Sequence, residues 1–384
     1  MICQRRVRNS FNSSQFLDPR SELSVTLVAI ATRIGHKIGL HRTGADPHMP
    51  FFEEEMRLRV WWPIMCLESR ARRKALGLTP SQADHGQVRM PMNVNDADLH
   101  PHMAKSPTAG HLGATEMLYC LWKYEIAHYV RSWPTGAAIA NTTTTNLYEL
   151  LASTSPESMT RKRKVLTDLW TIYEDKYLRQ CDPSIPLHHL SATVAQFTIH
   201  RVRFWFYHPR HQPEGGWNMS QEDQDVVFES SIQLLQLGFD LGVTNFSAHL
   251  LEHLQGCIDV EALVYMVSQL RQRVSGDLVR TAWALVGRIY EEYHLQLLQN
   301  HDKFYTALAD LTLQAWEARR QEVDAQGDTV PEFIGLLQGM RGNVGHEDAP
   351  TAVTEGMTLN GEFQFGLMPD DPLDWAYWNE LLQL

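Results

Sequence analysis

SELSVTLVAIATRIGHKIGLHR (residues 21–42) and PFFEEEMRLRVWW (residues 50–62) are the two stretches that decide the fold class. In the first, large apolar residues recur at three- and four-residue steps, which predicts a helix with one apolar stripe. These residues are Leu23, Leu27, Ile30, Ile34 and Ile38. In the second, three glutamates occupy the first turn, where a helix favours negative charge, and arginines follow four residues later. Both stretches are therefore predicted helices.

The adjacent tryptophans Trp61 and Trp62 lie on the second predicted helix. Neighbouring side chains on a helix point about 100° apart, so the two rings cannot share one face. We expect one ring to enter the core and the other to cover a flank or a second helix. Residues 77–103 then lose the helical period and are rich in Pro, Asn and Asp. A connection this long is expected to lie packed across its domain.

Helical periodicity returns in the rest of the chain, and no run of alternating β-branched residues predicts a strand. The predicted amphipathic segments are residues 118–130, 162–179, 187–207, 222–239, 249–273, 277–299 and 303–325. The prediction is an all-α, multi-helix protein with a flexible acidic-aromatic C-terminal tail. Its predicted parts are a polar N-terminal segment at 1–20, a helical domain at 21–347 with a mobile insertion at 132–158, and the tail at 348–384.

Composition excludes several classes of protein. The chain has 384 residues, of which 43% are hydrophobic, and 34 Lys and Arg against 45 Asp and Glu give a net charge of −11. This charge argues against a surface that holds nucleic acid through its overall field. No apolar run has the length of a membrane span, and the basic N-terminus lacks the apolar stretch of a secretory signal. We therefore expect a soluble intracellular protein without a membrane partner.

The five cysteines are widely separated, which argues against a disulfide framework and against a Cys-x-x-Cys zinc site. They are Cys3, Cys66, Cys120, Cys181 and Cys257. Free thiols in a reducing compartment are the expected state.

One sequence pattern has the spacing of a catalytic metal site. His249, Glu252 and His253 form H-x-x-E-H, in which two imidazoles share a helix face. No second motif supplies the third ligand that such a site needs, so an ordinary helix face is the favoured interpretation. The chain also lacks a nucleophile elbow, a phosphate-binding loop and a dinucleotide-binding glycine pattern. We predict no enzyme, and no catalytic, cofactor-binding or metal-ligating residue.

Two short basic clusters, at residues 70–74 and 161–164, fit either a nuclear import signal or a solvated helix face. The solvated face is the favoured interpretation of both.

The C-terminal tail mixes large apolar residues with carboxylates and carries no Lys or Arg after Arg341. Acidic-hydrophobic segments of this kind can fold onto an apolar groove of a coactivator. The predicted partner-binding residues are Phe363, Phe365, Trp375, Trp378 and Leu381. The alternative, that these side chains close over the chain's own core, is nearly as well supported.

With these residues in view, the chain resembles the regulatory region, or middle homology domain, of the fungal zinc binuclear-cluster transcription factors. Three stretches carry the resemblance: a Gly-Leu-His-Arg turn, a Glu-Met-Arg run that leads into paired tryptophans, and PMNVNDADL at residues 91–99. The matching positions, to which we assign a structural role, are Gly39, Leu40, His41, Arg42, Glu55, Arg57, Arg59, Trp61, Trp62, Pro91, Asn93, Asn95, Asp96 and Asp98. Weaker similarity continues to about Trp316.

The resemblance implies an α-helical regulatory domain, a C-terminal activating segment and a location in the nucleus. Members of the family carry six N-terminal cysteines that hold two zinc ions and contact DNA, whereas this chain has no such cluster. Zinc is therefore expected only with an additional cysteine module, and DNA contact only indirectly or through that module. The expected partners are a transcriptional coactivator, other regulators or a second copy in a homodimer. The alternative function is a small-molecule-binding protein or enzyme of a biosynthetic pathway built on the same helical domain.

Overall fold

The computed structural model describes residues 22–43, 48–76, 88–107, 110–131, 153, 155–212, 219–243, 259–293, 303–326, 330–343 and 374–382. Within these ranges the chain is helical and contains no strand. The predicted all-α fold class is confirmed. None of the described helices combines the length and the hydropathy that crossing a lipid bilayer requires.

The α-helices, numbered here in chain order, are α1 (Glu22–Lys37), α2 (Phe51–Leu76), α3 (Leu118–Arg131), α4 (Pro156–Lys176), α5 (Pro186–Tyr207), α6 (Gln221–Val243), α7 (Val260–Gln269), α8 (Asp277–Glu292), α9 (Lys303–Gln326), α10 (Glu332–Asn343) and α11 (Trp375–Leu382). Short 3-10 turns lie at Leu40–Arg42, Asp96–Asp98, Leu178–Gln180 and Pro209–His211.

The chain divides into two compact units. Unit 1 comprises residues 1–202 and 237–257, and unit 2 comprises residues 203–236 and 258–384. The boundaries predicted from the sequence stay predictions. Most of the predicted insertion at 132–158 lies outside the described residues, but its last residues start α4, where the Ser155 hydroxyl accepts a hydrogen bond from the Ser158 N–H.

The core of unit 1 is built on α2. This helix packs against α1 and α3, and α3 packs against α4. Trp61 and Trp62 are both buried, at 0% and 1% exposure, so of the two expected placements of the second ring the structure has the one against a second helix. The reason is that α2 has neighbours on two sides: Trp61 lies against α1 at Gly35, and the ring of Trp62 lies 5.4 Å from the Tyr124 ring of α3.

The stripe predicted on α1 faces solvent. Its five large apolar residues are each about half exposed, whereas the face toward α2 carries Gly35, which is buried. A Cβ atom at position 35 would lie 2.6 Å from Cζ3 of Trp61, so only glycine lets the two helices approach this closely. Periodicity locates an apolar face, but it does not say which neighbour covers that face.

The core of unit 2 is built on α9, which packs against α7, α10 and α11. Aromatic pairs connect these helices and their neighbours. Trp283 of α8 meets Trp316 of α9 with ring centroids 5.4 Å apart, and Tyr290 of α8 stacks on Phe333 of α10 at 5.0 Å. Helices α10 and α11 were not predicted from periodicity.

Candidate functional site: the motif core and the C-terminal helix

A buried carboxylate organises the motif residues of unit 1. Glu55, on α2, is 0% exposed. Its oxygens accept hydrogen bonds from Nη1 of Arg89 at 2.9 Å and from the Met92 N–H at 2.9 Å, with Nε of Arg59 at 3.4 Å. A buried carboxylate is stable only when its charge and lone pairs are compensated, and here the compensating groups come from residues 88–107 as well as from α2 itself. Glu55 therefore anchors this segment to α2.

Two further bonds hold the same segment. The Trp62 indole N–H donates to the carbonyl of Arg89 at 2.8 Å. Arg59 reaches over the segment with Nη1 2.6 Å from a carboxylate oxygen of Asp96 and Nη2 3.3 Å from the carbonyl of Val94. The expectation that the long connection lies packed across its domain is confirmed for residues 88–103, whereas residues 77–87 lie outside the described residues.

Asn93 and Asn95 form hydrogen bonds with the backbone of the segment and of the residues that follow it. The Asn93 side-chain amide donates to the carbonyls of His111 and Gly113 at 2.8 and 2.7 Å. Asn95 and Asp98 form a capping box around the 3-10 turn, and Asp98 also lies 2.7 Å from Nε2 of His111. Hydrogen bonds from His111 and from the Asn95 N–H lower the pKa of Asp98. Pro91 is buried beside Glu55's partner Met92.

The Gly-Leu-His-Arg turn closes the end of α1. Gly39 has φ +78°, a left-handed conformation that side chains disfavour, and Leu40 is buried. Burial, the nearby His36 and Arg42 together lower the pKa of His41. His36 and His41 lie 4.5 Å apart between ring centroids, and His36 meets Trp61 edge-on.

The second arginine of the motif lies at the α1–α2 boundary. Arg57 pairs with Glu53 at 2.8 Å and donates from Nη1 to the carbonyl of Ile38 at 3.3 Å. The structure thus brings the motif positions together around α2, where they pack, cap and pair.

The C-terminal helix α11 is docked within unit 2. Trp375, Trp378 and Leu381 are 6%, 4% and 6% exposed. Asp374 caps the helix, since its carboxylate accepts a hydrogen bond from the Tyr377 N–H at 3.2 Å. The sequence left two nearly even interpretations of these three side chains, solvated coactivator anchors or closure over the chain's own core. They are buried because α11 packs against α9 and against the 3-10 turn Pro209–His211.

Trp375 lies in an aromatic cage. Its ring stacks on Tyr265 at 6.1 Å and meets the His208 ring edge-on at 4.3 Å. His208 also contacts Phe204 at 4.8 Å. Trp378 lies 6.0 Å from the Phe304 ring of α9 in a T-shaped pair.

The imidazole under Trp375 is held neutral. Burial, with Arg210 and His211 as smaller contributors, lowers the pKa of His208 well below its usual value. Its Nδ1 accepts a hydrogen bond from the Arg210 N–H at 3.2 Å, and Nε2 has no hydrogen-bond partner among the described residues. The Arg210 side chain forms an ion pair with Glu261 on α7.

Several predicted positions fall outside the described residues. Phe363 and Phe365 of the tail do so, and so do His249, Glu252 and His253. In the part of the chain that the structure describes, no group of three His, Cys, Asp or Glu side chains is placed to hold a metal ion. The described cysteines, Cys66, Cys120 and Cys181, lie on separate elements, so these residues do not fit a zinc cluster.

Arg89, Tyr265 and Phe304 were not predicted from the sequence, because no motif marks them. His208 lies within the weaker similarity to the family, but no packing role was predicted for it. The burial of Glu55 had a usable signal, because it lies three and seven residues before Leu58 and Trp62 on the inner face of α2.

Comparison with known proteins points to one class. The chain is 27% identical over 399 residues to the aurofusarin cluster transcription factor of Gibberella zeae, an alignment that covers 93% of this chain and 57% of that protein. It is 28% identical over 333 residues to the pyriculol/pyriculariol biosynthesis cluster transcription factor 1 of Pyricularia oryzae, covering 82% and 42%. It is 26% identical over 315 residues to transcriptional regulator AacuB of Aspergillus aculeatus, covering 82% and 41%.

Further relatives from Aspergillus species are named C6 finger domain transcription factors. The chain thus spans about half the length of the curated relatives that it matches. No family model matches the chain. No solved structure matches it significantly.

Proposed function

Since this chain is homologous to fungal C6-finger transcription factors of biosynthetic gene clusters, we propose that it is a transcription regulator that acts by holding partners and not by catalysis. The observation that carries the proposal is the alignment with the aurofusarin cluster transcription factor over 93% of the chain. The helical regulatory region is the part that aligns. A structural role for the motif residues is supported by the packing around Glu55 and Trp62.

The proposed output element is α11 with its acidic flanks. Activating segments of the acidic-hydrophobic kind bind coactivators through apolar side chains on a short helix. Trp375, Trp378 and Leu381 have this chemistry, but each is buried against unit 2. The proposal therefore requires that α11 leave its position on α9 before it binds a coactivator.

A tethered reporter assay separates the two roles of these side chains. The chain is fused to a heterologous DNA-binding domain, and output is normalised to protein level. Trp375→Ala with Trp378→Ala removes the coactivator anchors and is expected to lower output severalfold. Phe304→Ala removes the ring that holds Trp378 but leaves α11 intact, so it is expected to raise output. Leu336→Ala, at an exposed site with 50% accessibility, is the matched control.

The test is whether the two substitutions change the reporter output in opposite directions. If the tryptophans only close the core of unit 2, both changes loosen the same packing, so both lower the protein level and the normalised output shifts in the same direction for both. That outcome would refute the coactivator role of α11.

We also propose that the protein works in the nucleus, with DNA contact made indirectly or through a separate zinc-cluster module. Of the two basic clusters, residues 161–164 are interrupted by Lys162, which is fully buried on α4. An import signal needs consecutive accessible cations, and the buried Lys162 breaks the cluster at 161–164. We therefore propose the cluster at 70–74, from its sequence, as the import signal. A fluorescent fusion in which Arg72, Arg73 and Lys74 are changed to Ala should lose nuclear accumulation, and unchanged accumulation would contradict this assignment.

A further inference from the structure

Unit 1 exposes an unusually regular apolar row. Along α1 and just beyond it, five large aliphatic side chains have exposed fractions between 47% and 55%. They are Leu23, Leu27, Ile30, Ile34 and Ile38. Isolated exposed leucines are ordinary on protein surfaces, but a contiguous row is not.

Helix α2 extends this row sideways. Gly35 contacts Trp61, and Ile38 contacts Arg57. Moving forward along the chain from Gly35 to Ile38 therefore means moving backward along α2, so α1 and α2 run antiparallel. Val60 follows Arg57 by three residues and Leu67 by ten, which places both on the helix face of Arg57. Their exposed fractions are 53% and 48%. The row on α1 and the row on α2 therefore lie side by side.

The combined surface is large for an uncovered patch. Seven half-exposed aliphatic side chains present on the order of 600 Å² of apolar area, the upper end of the largest patches found on monomeric proteins. If two such surfaces covered each other, roughly 1,200 Å² would be buried in total, which reaches the lower limit of stable interfaces. The area is thus sufficient for self-association and too great to be an incidental feature.

We propose that this surface, formed by the seven residues of α1, its C-terminal extension and α2, binds a second copy of the chain. The row on α1 has steps of four, three and four residues, the spacing at which one helix packs into an identical helix. The first 21 residues of this chain do not offer a matching row, since their large aliphatic and aromatic residues stand at positions 1, 2, 7, 11, 16 and 17. A second copy brings the required row with it.

Charge selects the antiparallel orientation. Arg33 and Lys37 flank the row at its C-terminal half, and both are exposed. In a parallel pair each would lie beside the same cation of the second copy, which is unfavourable. In an antiparallel pair with its two-fold axis near Ile30, these cations move to opposite ends and Leu27 faces Ile34 of the second copy.

The axis position gives a sharp experiment on the full chain. The wild type is expected to have twice its monomer mass of 44.0 kDa in sedimentation or light-scattering measurements at tens of micromolar. Ile30→Glu and Ile30→Lys each place two like charges at the axis, so each variant should be monomeric. Equimolar mixing of the two variants should restore a dimer, because unlike charges then meet. Leu112→Glu, at 89% exposure outside the patch, should stay dimeric.

Each of the following results would overturn the proposal: a monomeric wild type at these concentrations, an Ile30→Glu variant that remains dimeric, or two folded, monomeric variants that do not pair when mixed. A monomer that dimerises only after residues 1–21 are deleted would also overturn it, since this chain's own segment would then be the occupant. Circular dichroism confirms that the variants fold, which is expected because residue 30 is exposed. The result does not depend on the reporter assay, so this inference and the proposed function can fail separately.

Discussion

Replacing Glu55 by Gln tests whether one buried carboxylate fixes the motif segment. The amide keeps the shape and one acceptor for the Met92 N–H, but it turns an NH2 group toward Nη1 of Arg89, where a 2.9 Å charge-assisted bond existed. Breaking a fully buried ion pair costs about 3–5 kcal/mol. Arg89 is 37% exposed and retains Glu54, so water and that carboxylate offset part of the loss. We expect a destabilisation of about 2–3 kcal/mol, near the value of a lost charged hydrogen bond.

The measurement is calorimetric unfolding, in which the transition of unit 1 should fall by roughly 5–10 °C. Glu54→Gln is the matched control, since Glu54 binds the same Arg89 at 2.9 Å but its side chain is 23% exposed. A partly solvated pair contributes less, about 1 kcal/mol at most. Limited proteolysis within residues 88–107 should accelerate in Glu55→Gln alone. Equal effects of the two substitutions would show that burial of Glu55 is not what holds the segment.

Two further predictions concern glycine packing and pH. Gly35→Ala places a Cβ atom 2.6 Å from the buried Trp61 ring. The overpacking outweighs the gain in helix propensity, so the free energy of unfolding should drop by about 1–2 kcal/mol. Gly335→Ala is the control: its Cβ atom would have no neighbour within 4 Å, so it should be neutral or stabilising in the same thermal scan. The pKa of His208 is lowered in the folded state, so the unfolded chain takes up the His208 proton first as pH falls below about 6.5. The free energy of unfolding should therefore fall by up to about 1.4 kcal/mol per pH unit below that pH. His208→Asn keeps an acceptor for the Arg210 N–H and should remove that part of the pH slope in denaturant titrations between pH 7 and 5, whereas an unchanged slope would mean that other groups carry it.

The sequence predicts those elements that are set by local patterns, and it does not predict contacts between residues that are distant in the chain. Helices α3, α5 and α9 were predicted to within one or two residues, because their caps and periodic patterns are local. The Glu53–Arg57 and Glu55–Arg59 pairs followed from four-residue spacing. The docking of α11 could not be predicted from the sequence, because its three buried side chains fit the pattern of solvated coactivator anchors equally well. That choice is made by Tyr265, His208 and Phe304, which are distant in sequence.

Helix α1 is a second case in which the sequence pattern identifies an apolar face but not the neighbour that covers it. It is apolar on its outer row and tightly packed on its inner face, so it has the character of a helix covered on both sides. Gly35 accounts for the inner cover, because its missing side chain lets Trp61 enter. The outer row lacks cover within the described part of unit 1, and leaving that much aliphatic area in water is unfavourable at about 25 cal/mol per Å². An interface on this face follows from the pattern itself: a helix that had evolved to face water would carry polar residues at the positions of Leu27, Ile30 and Ile34.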